Sequence, residues 1–485
     1  MKKNILKQFY IYQLNTRIFC LENHSKLSTL FSQVLDTSEV MAADAVWLMG
    51  IWKPSPLSVE ICKKHEGLNH EFSKALPDIT DSDIIGSPYS IYEYSTNPII
   101  ADHKIEIKQF KYKLNSIGKK LILDFVPNHM SIDSPLIDKY PEYFLYKKEE
   151  NPKVCKNSFQ HKNGKIYYYG KDPYYDGWTD TIQWDFSHPE VVNLHIQIIK
   201  DISEICDGIR CDMAMLPLED IFEKTHGIKA FPYWEKIISE VKKEFTEFLF
   251  IAEVYWNLEF RLQSLGFDYT YDKTLYDRLK QENPKELYLH LQAEESFQNK
   301  SLRFLENHDE ERALKTFAYE SKSYFSLLCF LNGSILYHEG QSNGYEIKIP
   351  VQLGRRVKEK NFDISYFYSR ALYVIQNRKN AEVSYYETKL HSFSNNTTTE
   401  YSIIKILAYL NKIEILILNP YSNQITGKMF LPEEVLEKIK SINSDVLVFK
   451  DIVDNMEYKR YKVELLNEIY IQLRPKQAHW FLIEE

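Results

Sequence analysis

The chain has 485 residues, 44% of them hydrophobic and 26% charged, with a formal net charge of −8. Such a length exceeds one compact core and suits a large domain with one or two smaller ones, and the composition excludes a mostly disordered chain. Scattered lysines and a negative balance give no anchor for nucleic acid or an anionic membrane surface, so a neutral substrate fits better than a polyanion.

Six cysteines, Cys20, Cys62, Cys155, Cys206, Cys211 and Cys329, show neither CxxC nor zinc-type spacing and read as reduced thiols. Lys2 and Lys3 open the chain, but Lys7, Gln8, Gln13 and Asn15 interrupt the apolar run that a signal peptide needs. No segment reaches the unbroken apolar length that spans a bilayer. The expectation is a cytoplasmic protein with no membrane or nucleic-acid partner; the oligomeric state is left open.

In chain order, β-branched and aromatic runs predict strands at FYIYQLN from Phe9, DAVWLMG from Asp44, KLILDFV from Lys120 and DGIRCDM from Asp207. Further runs follow at FLFIAEV from Phe248, FDYTY from Phe267, SLRFLEN from Ser301 and SILYHEG from Ser334. Amphipathic stretches such as EVVNLHIQIIKDISEIC and WEKIISEVKKEF lie between several of them, with apolar residues returning every three or four positions. Strands alternating with helices in this number predict an α/β fold, a (β/α)8 TIM barrel. The barrel is expected over 1–129 and 190–381. The tyrosine- and turn-rich stretch 130–189 is too long for a plain loop and predicts a small subdomain inserted after the third strand. From about 382 to 485 the pattern changes to alternating strands, IIKILAYL, KIEILILN and EIYIQL, with SNNTTTE as a hairpin loop, which predicts a C-terminal antiparallel β-sandwich domain.

In such a barrel the carboxyl ends of the strands build the site. Polar residues collect there: Asp124, Asn128 and His129 end the third strand, Arg210 and Asp212 the fourth, Glu253 the fifth, and Asn307, His308 and Asp309 follow the seventh. Any one of them has a bland reading as a helix cap or a satisfied histidine. Four strand ends supplying charged or imidazole groups to one rim do not, because unpaired charges there would be costly.

The segments DFVPNH, GIRCDMAML, EVYW and NHD, in this order, resemble the four family segments of the α-amylase family of retaining glycoside hydrolases and transglycosylases. The resemblance implies Asp212 as nucleophile, Glu253 as general acid/base and Asp309 as the carboxylate that stabilises the transition state. It implies further that His129 and His308 contact the sugar and that Asp124 helps hold Arg210. The chemistry asks for these residue types: acetal cleavage needs an acid at the leaving oxygen and an ionised carboxylate beneath the anomeric carbon, about 5 Å apart in a retaining enzyme. Arg210, two residues before Asp212 on the same strand face, is expected to keep it ionised. Glu253 is expected to keep its proton through the negative charges of Asp212 and Asp309.

GSPYSIYEY is similar to the family segment whose tyrosine stacks on the sugar, which implies Tyr89, with Tyr92 and Tyr94 as alternatives among 35 tyrosines. Trp256 is expected either to floor an acceptor subsite or to belong to the core. Asn128 matches a family asparagine that often binds calcium, but MAML, ending in Met215 and Leu216, stands where calcium-dependent members carry a histidine. Methionine and leucine offer no oxygen ligand, so no metal and no other cofactor is expected. The same apolar pair replaces a lysine and histidine used by many starch-degrading members, which weakens a long-chain starch reading. YHEGQSNG, from Tyr337 to Gly344, either lines the rim or is a turn. LGFDYTYDKTLYDRL is similar to members acting on maltosyl units.

These readings imply an intracellular enzyme cleaving α-glucosidic bonds of α-glucans or oligosaccharides by double displacement. The alternatives are a transglycosylase, such as a glucosyl- or maltosyltransferase using the same covalent intermediate, and a non-catalytic carbohydrate- or partner-binding relative.

Overall fold

The structure, a computed structural model, describes residues 5–149, 152–379, 381–393 and 399–484. The predicted hairpin loop SNNTTTE falls largely on 394–398, outside the described residues. All eight predicted strands form: β1 Gln8–Asn15, β2 Ala45–Met49, β3 Lys120–Phe125, β4 Gly208–Cys211, β5 Leu249–Ala252, β6 Tyr269–Tyr271, β7 Ser301–Arg303 and β8 Gly333–His338. They close into a parallel barrel in the order β1, β8, β7, β6, β5, β4, β3, β2. The runs are apolar because both faces of a barrel strand are covered; every residue of β2 and β4 is buried.

Register sets the site. Arg210 pairs with Asp124 of β3 and with Ile251 of β5. The backbone continues in step past the strand ends, where the Asp212 amide donates to the Phe125 carbonyl (2.9 Å) and the Glu253 amide to the Cys211 carbonyl (3.1 Å). Asp212 and Glu253 are thus delivered by neighbouring strands at matching height.

The chain forms two compact units, 11–271 with 347–358, and 1–10 with 272–346 and 359–485. In the first, the helix Pro189–Ser203 carries proline in its opening turn, is capped by the His188 ring, which accepts the Glu190 amide, and buries Val191, Val192, His195, Ile199 and Ile202. The stretch after β3 forms short antiparallel pairs, His129–Ser131 with Thr181–Gln183 and Ser158–Gln160 with Ile166–Tyr168, around stacked Phe144 and Trp184 rings 4.1 Å apart. A second ribbon, Trp52–Pro54 with Ile91–Thr96, was not predicted.

In the second unit a six-stranded antiparallel sheet and a three-stranded one share a core that includes Ile406, Ile415 and Ile417 on one side and Ile425, Met429 and Ile471 on the other. The helix Glu433–Ser441 adds Val435 and Ile439 to it. A buried Arg378–Glu414 pair (3.3 Å) is extended by the Trp480 indole, which donates to Glu414 (2.8 Å). All six cysteines are unpaired and only Cys155 is exposed. No helix among the described residues is long and apolar enough to cross a membrane.

Gly208 opens β4 where a Cβ would stand 2.7 Å from the Leu249 Cβ and 2.9 Å from the Ile122 side chain. Gly208→Ala is therefore expected to cost about 1–3 kcal/mol by overpacking. Urea unfolding checks this, and an unchanged midpoint would show that the β3, β4 and β5 backbones are not packed this closely.

Candidate active site

Arg210 stands at the centre of the first unit's site, 1% exposed at its side chain. Its Nη1 donates to Asp212 Oδ1 at 2.7 Å, and its Nη2 meets Glu253 Oε2 at 2.8 Å. Its Nε donates to the Tyr271 hydroxyl at 3.3 Å. The guanidinium also lies over the rings of Tyr89, Trp47 and Tyr271, 5.2, 5.3 and 5.7 Å from their centroids. Burial alone would pull its pKa down. Glu253, the two phenols and Asp212 more than reverse that and hold it well above the ordinary value. Asp124 is buried too, 3.7 Å from Nη1, beyond hydrogen-bond reach, with its other oxygen accepting the Gly50 amide (3.4 Å).

The setting of Glu253 departs from the sequence expectation. Besides Arg210, its Oε2 accepts the Met213 amide (2.6 Å) and its Oε1 accepts the Tyr255 hydroxyl (2.8 Å). A guanidinium, rather than acidic neighbours alone, adjoins this carboxyl. Met213 has a left-handed backbone (φ 42°), and two further left-handed residues, Trp256 and Asn257 (φ 65° and 59°), follow Glu253. Bulky residues adopt this region only where the surroundings impose it, and such positions gather at functional sites.

The three tyrosine alternatives separate by contact. Tyr89 faces Arg210; Tyr94 is tied to the Val126 backbone by its hydroxyl (3.2 Å to the carbonyl, 3.1 Å from the amide); the Tyr92 ring lies under the Lys53 ammonium (5.0 Å). His129 is buried, with its ring 5.3 Å from that of Trp178. Burial lowers its pKa to about 4, against the opposing pull of Asp180 and a bond to the Tyr89 backbone. Trp256 is half-buried and meets the exposed ring of Tyr174 edge to face at 5.1 Å, and the Lys224 ammonium bonds the Tyr174 hydroxyl at 3.0 Å.

The calcium position that the sequence resemblance raised can be tested on its donors. The Asn128 side-chain oxygen accepts from the Gln183 amide (3.0 Å), as does the Asn128 carbonyl (3.0 Å), while Met215 and Leu216 are buried without an oxygen to offer. A hard cation asks for six or more oxygens, and this set does not fit one.

In the second unit, β7 leads into the segment carrying Asn307, His308 and Asp309. The Asn307 side-chain oxygen accepts the amides of Asp309 and Glu310, both at 2.8 Å, which turns the chain sharply. The Asp309 side chain is 42% exposed, and the nearly buried His308 reaches it at 3.0 Å. Sequence reasoning missed Tyr271, Trp47, Tyr255 and Glu306. The first three are aromatic residues in an aromatic-rich chain and carry no spacing signal; Glu306 stands beside the NHD segment and was legible there.

No protein-family model matches the sequence, and no curated protein matches it either. The fold, by contrast, is that of the α-amylase-type enzymes. A noncanonic maltogenic α-amylase from Thermotoga neapolitana aligns with a TM-score of 0.63 at 18% identity, over 98% of this chain and 99% of that one. An α-amylase from H. orenii aligns at 0.63 and 15% identity over 100% of both chains, and a Nostoc punctiforme debranching enzyme at 0.64 and 13% over 100% of both.

Two buried imidazoles set a pH dependence. His129 titrates near 4 and His195, enclosed by Phe125, Trp184 and Tyr233, near 3, both lowered by burial from 6.5. Below pH 6.5 the unfolded chain binds protons that the folded chain refuses. Stability from these groups is therefore full above 6.5 and falls toward pH 4, by about 1.4 kcal/mol per pH unit for each. Denaturant unfolding of His129→Asn at pH 7 and pH 5 is expected to show a shallower loss than the parent. An identical loss would contradict a neutral buried His129.

Proposed function

We propose that this protein is a retaining α-glycosidase acting on α-glucans or α-linked oligosaccharides. The observation that carries the reading is one buried guanidinium that donates a hydrogen bond to Asp212 through one terminal nitrogen and lies in ion-pair contact with Glu253 through the other. Two carboxyl groups on adjacent nitrogens of one side chain suit the separation of about 5 Å that double displacement uses. Asp212 attacks the anomeric carbon, and its contact with Arg210 keeps it charged for the purpose. Glu253 protonates the leaving oxygen. The Met213 amide on Oε2 and the Tyr255 hydroxyl on Oε1 orient its carboxyl. The same glutamate then activates the acceptor that opens the glycosyl-enzyme. Asp309, assigned by its NHD segment, strengthens its bonds to sugar hydroxyls as the ring flattens, with His308 beside it. Tyr89 stacks on that sugar and His129, neutral at working pH, bonds to it.

The fold's likeness to a maltogenic α-amylase and a debranching enzyme supports an α-glucan substrate. Six unpaired cysteines support a reducing compartment, the cytoplasm. The donor set at Asn128 supports a calcium-independent enzyme.

Asp212→Asn and Glu253→Gln are each expected to lower kcat/KM on maltooligosaccharides by at least about 1,000-fold. NMR of the fresh product is expected to show the α-anomer first; a β-anomer first, or full activity in either variant, would sink the assignment. Product masses read the acceptor: free sugars alone mean water takes the intermediate, and lengthened chains mean a sugar hydroxyl does. Dialysis against EDTA is expected to leave the thermal midpoint unchanged, whereas a fall restored by calcium would overturn the metal-free reading.

A further inference from the structure

Glu306 is a fully buried carboxylic acid that the chemistry above does not use. Its Oε2 accepts the Ala313 amide at 2.6 Å, and its Oε1 pairs with Arg312 Nη1 at 2.8 Å. The chain therefore leaves at Glu306 and is caught again at 312–313, so that 307–311 is a loop pinned at its neck. Inside that neck the Asn307 turn fixes the backbone of Asp309. Arg312 does more than balance the glutamate. Its Nη2 donates to the Glu339 carbonyl just past β8 (2.8 Å), and its guanidinium lies 5.3 Å from the centre of the Tyr345 ring. Gly340 makes this approach possible: its φ is +86°, and a Cβ there would stand 2.3 Å from Arg312 Nη2 and 2.3 Å from the Tyr345 ring. An ion pair buried this deeply costs desolvation that a leucine in its place would not, which points to a role in specifying geometry.

We propose that the Glu306 and Arg312 pair is a latch that ties the loop bearing His308 and Asp309 to the loop after β8, making both of them positioning residues for Asp309. The inference rests on the transition-state role given to Asp309. A latch of this kind acts on turnover, because a displacement of about 1 Å in a group that binds the transition state costs about 100-fold.

The test uses the full chain, with maltohexaose and α-maltosyl fluoride as substrates, and the variants Glu306→Gln, Arg312→Lys and Gly340→Ala. Arg312→Lys keeps a cation beside Glu306 but loses the forked reach to Glu339, so it guards against a fold that fails in Glu306→Gln. For all three, kcat is expected to fall about 100-fold while KM moves less than about threefold. The loss is expected to be equal on the fluoride, whose leaving group needs no acid, whereas Glu253→Gln should recover only the first step on it, seen as a burst of fluoride release, with steady turnover still limited by the acceptor step that the same glutamate assists. That pattern separates displacement of Asp309 from a general loss of structure. Turnover within about twofold of the parent in folded Arg312→Lys and Gly340→Ala overturns the latch. So does a loss that only follows the folded fraction measured by circular dichroism. Full activity in Asp309→Asn, or no turnover of either substrate by the parent, would instead sink the functional reading.

Discussion

A charged guanidinium cannot be buried without anions to receive it, and this requirement organises the centre of the molecule. Arg210 is enclosed by aromatic rings above and beside it and by carboxylates at its forked end. The register of three parallel strands supplies those partners: β3 brings Asp124 level with the arginine, and the backbone bonds continuing past β4 and β5 bring Asp212 and Glu253 to neighbouring nitrogens. Removing any one anion would leave charge in a low-dielectric interior, so the pairings hold one another in place. The left-handed backbone at Met213 stands at the same place, where its amide donates to Glu253 just past the end of β4.

Buried arginines recur as fasteners in the second unit. Arg303 meets Asp272 (3.2 Å), which is also bonded to His290; Arg378 meets Glu414; Arg312 meets Glu306. The first two join segments distant in sequence directly, and Arg312 does so through its bond to the Glu339 carbonyl, each by a planar, multidonor group whose geometry tolerates little rotation. Arg378 adds hydrogen bonds to Gln8, Tyr10 and the Cys329 carbonyl beyond its pair with Glu414, which offset part of the desolvation cost there. A barrel whose shortest strands have three residues, as β6 and β7 do, relies on such ties where ladder bonds are few.

Much of this was legible in the sequence. The eight strands were read from apolar β-branched runs because parallel barrel strands are covered on both faces, and the strand-end polar residues stood out against them. The C-terminal strands were read from period-two alternation. The ribbon Trp52–Pro54 with Ile91–Thr96 escaped because its strands are short and separated by helices, and its register shifts at Lys53 erase alternation. The helix Glu433–Ser441 escaped because the alternating strands around it set the expected pattern. The setting of Glu253 escaped for another reason: two of the three groups described around it are a backbone amide and a tyrosine hydroxyl, and neither leaves a spacing signal. The third group, Arg210, was read as a partner of Asp212 and Asp124 and not of Glu253, because sequence shows an arginine's presence but not how its fork divides.

That division is the central physical claim, and a double-mutant cycle measures it. Unfolding free energies of the parent, Arg210→Met, Glu253→Gln and the combined variant give the coupling between the guanidinium and the acid/base carboxyl. The geometry predicts a coupling of about 2 kcal/mol, with the double variant less damaged than the sum of the singles. Effects that add to within about 0.5 kcal/mol would mean that Arg210 does not hold Glu253, and the shared-guanidinium account would fall.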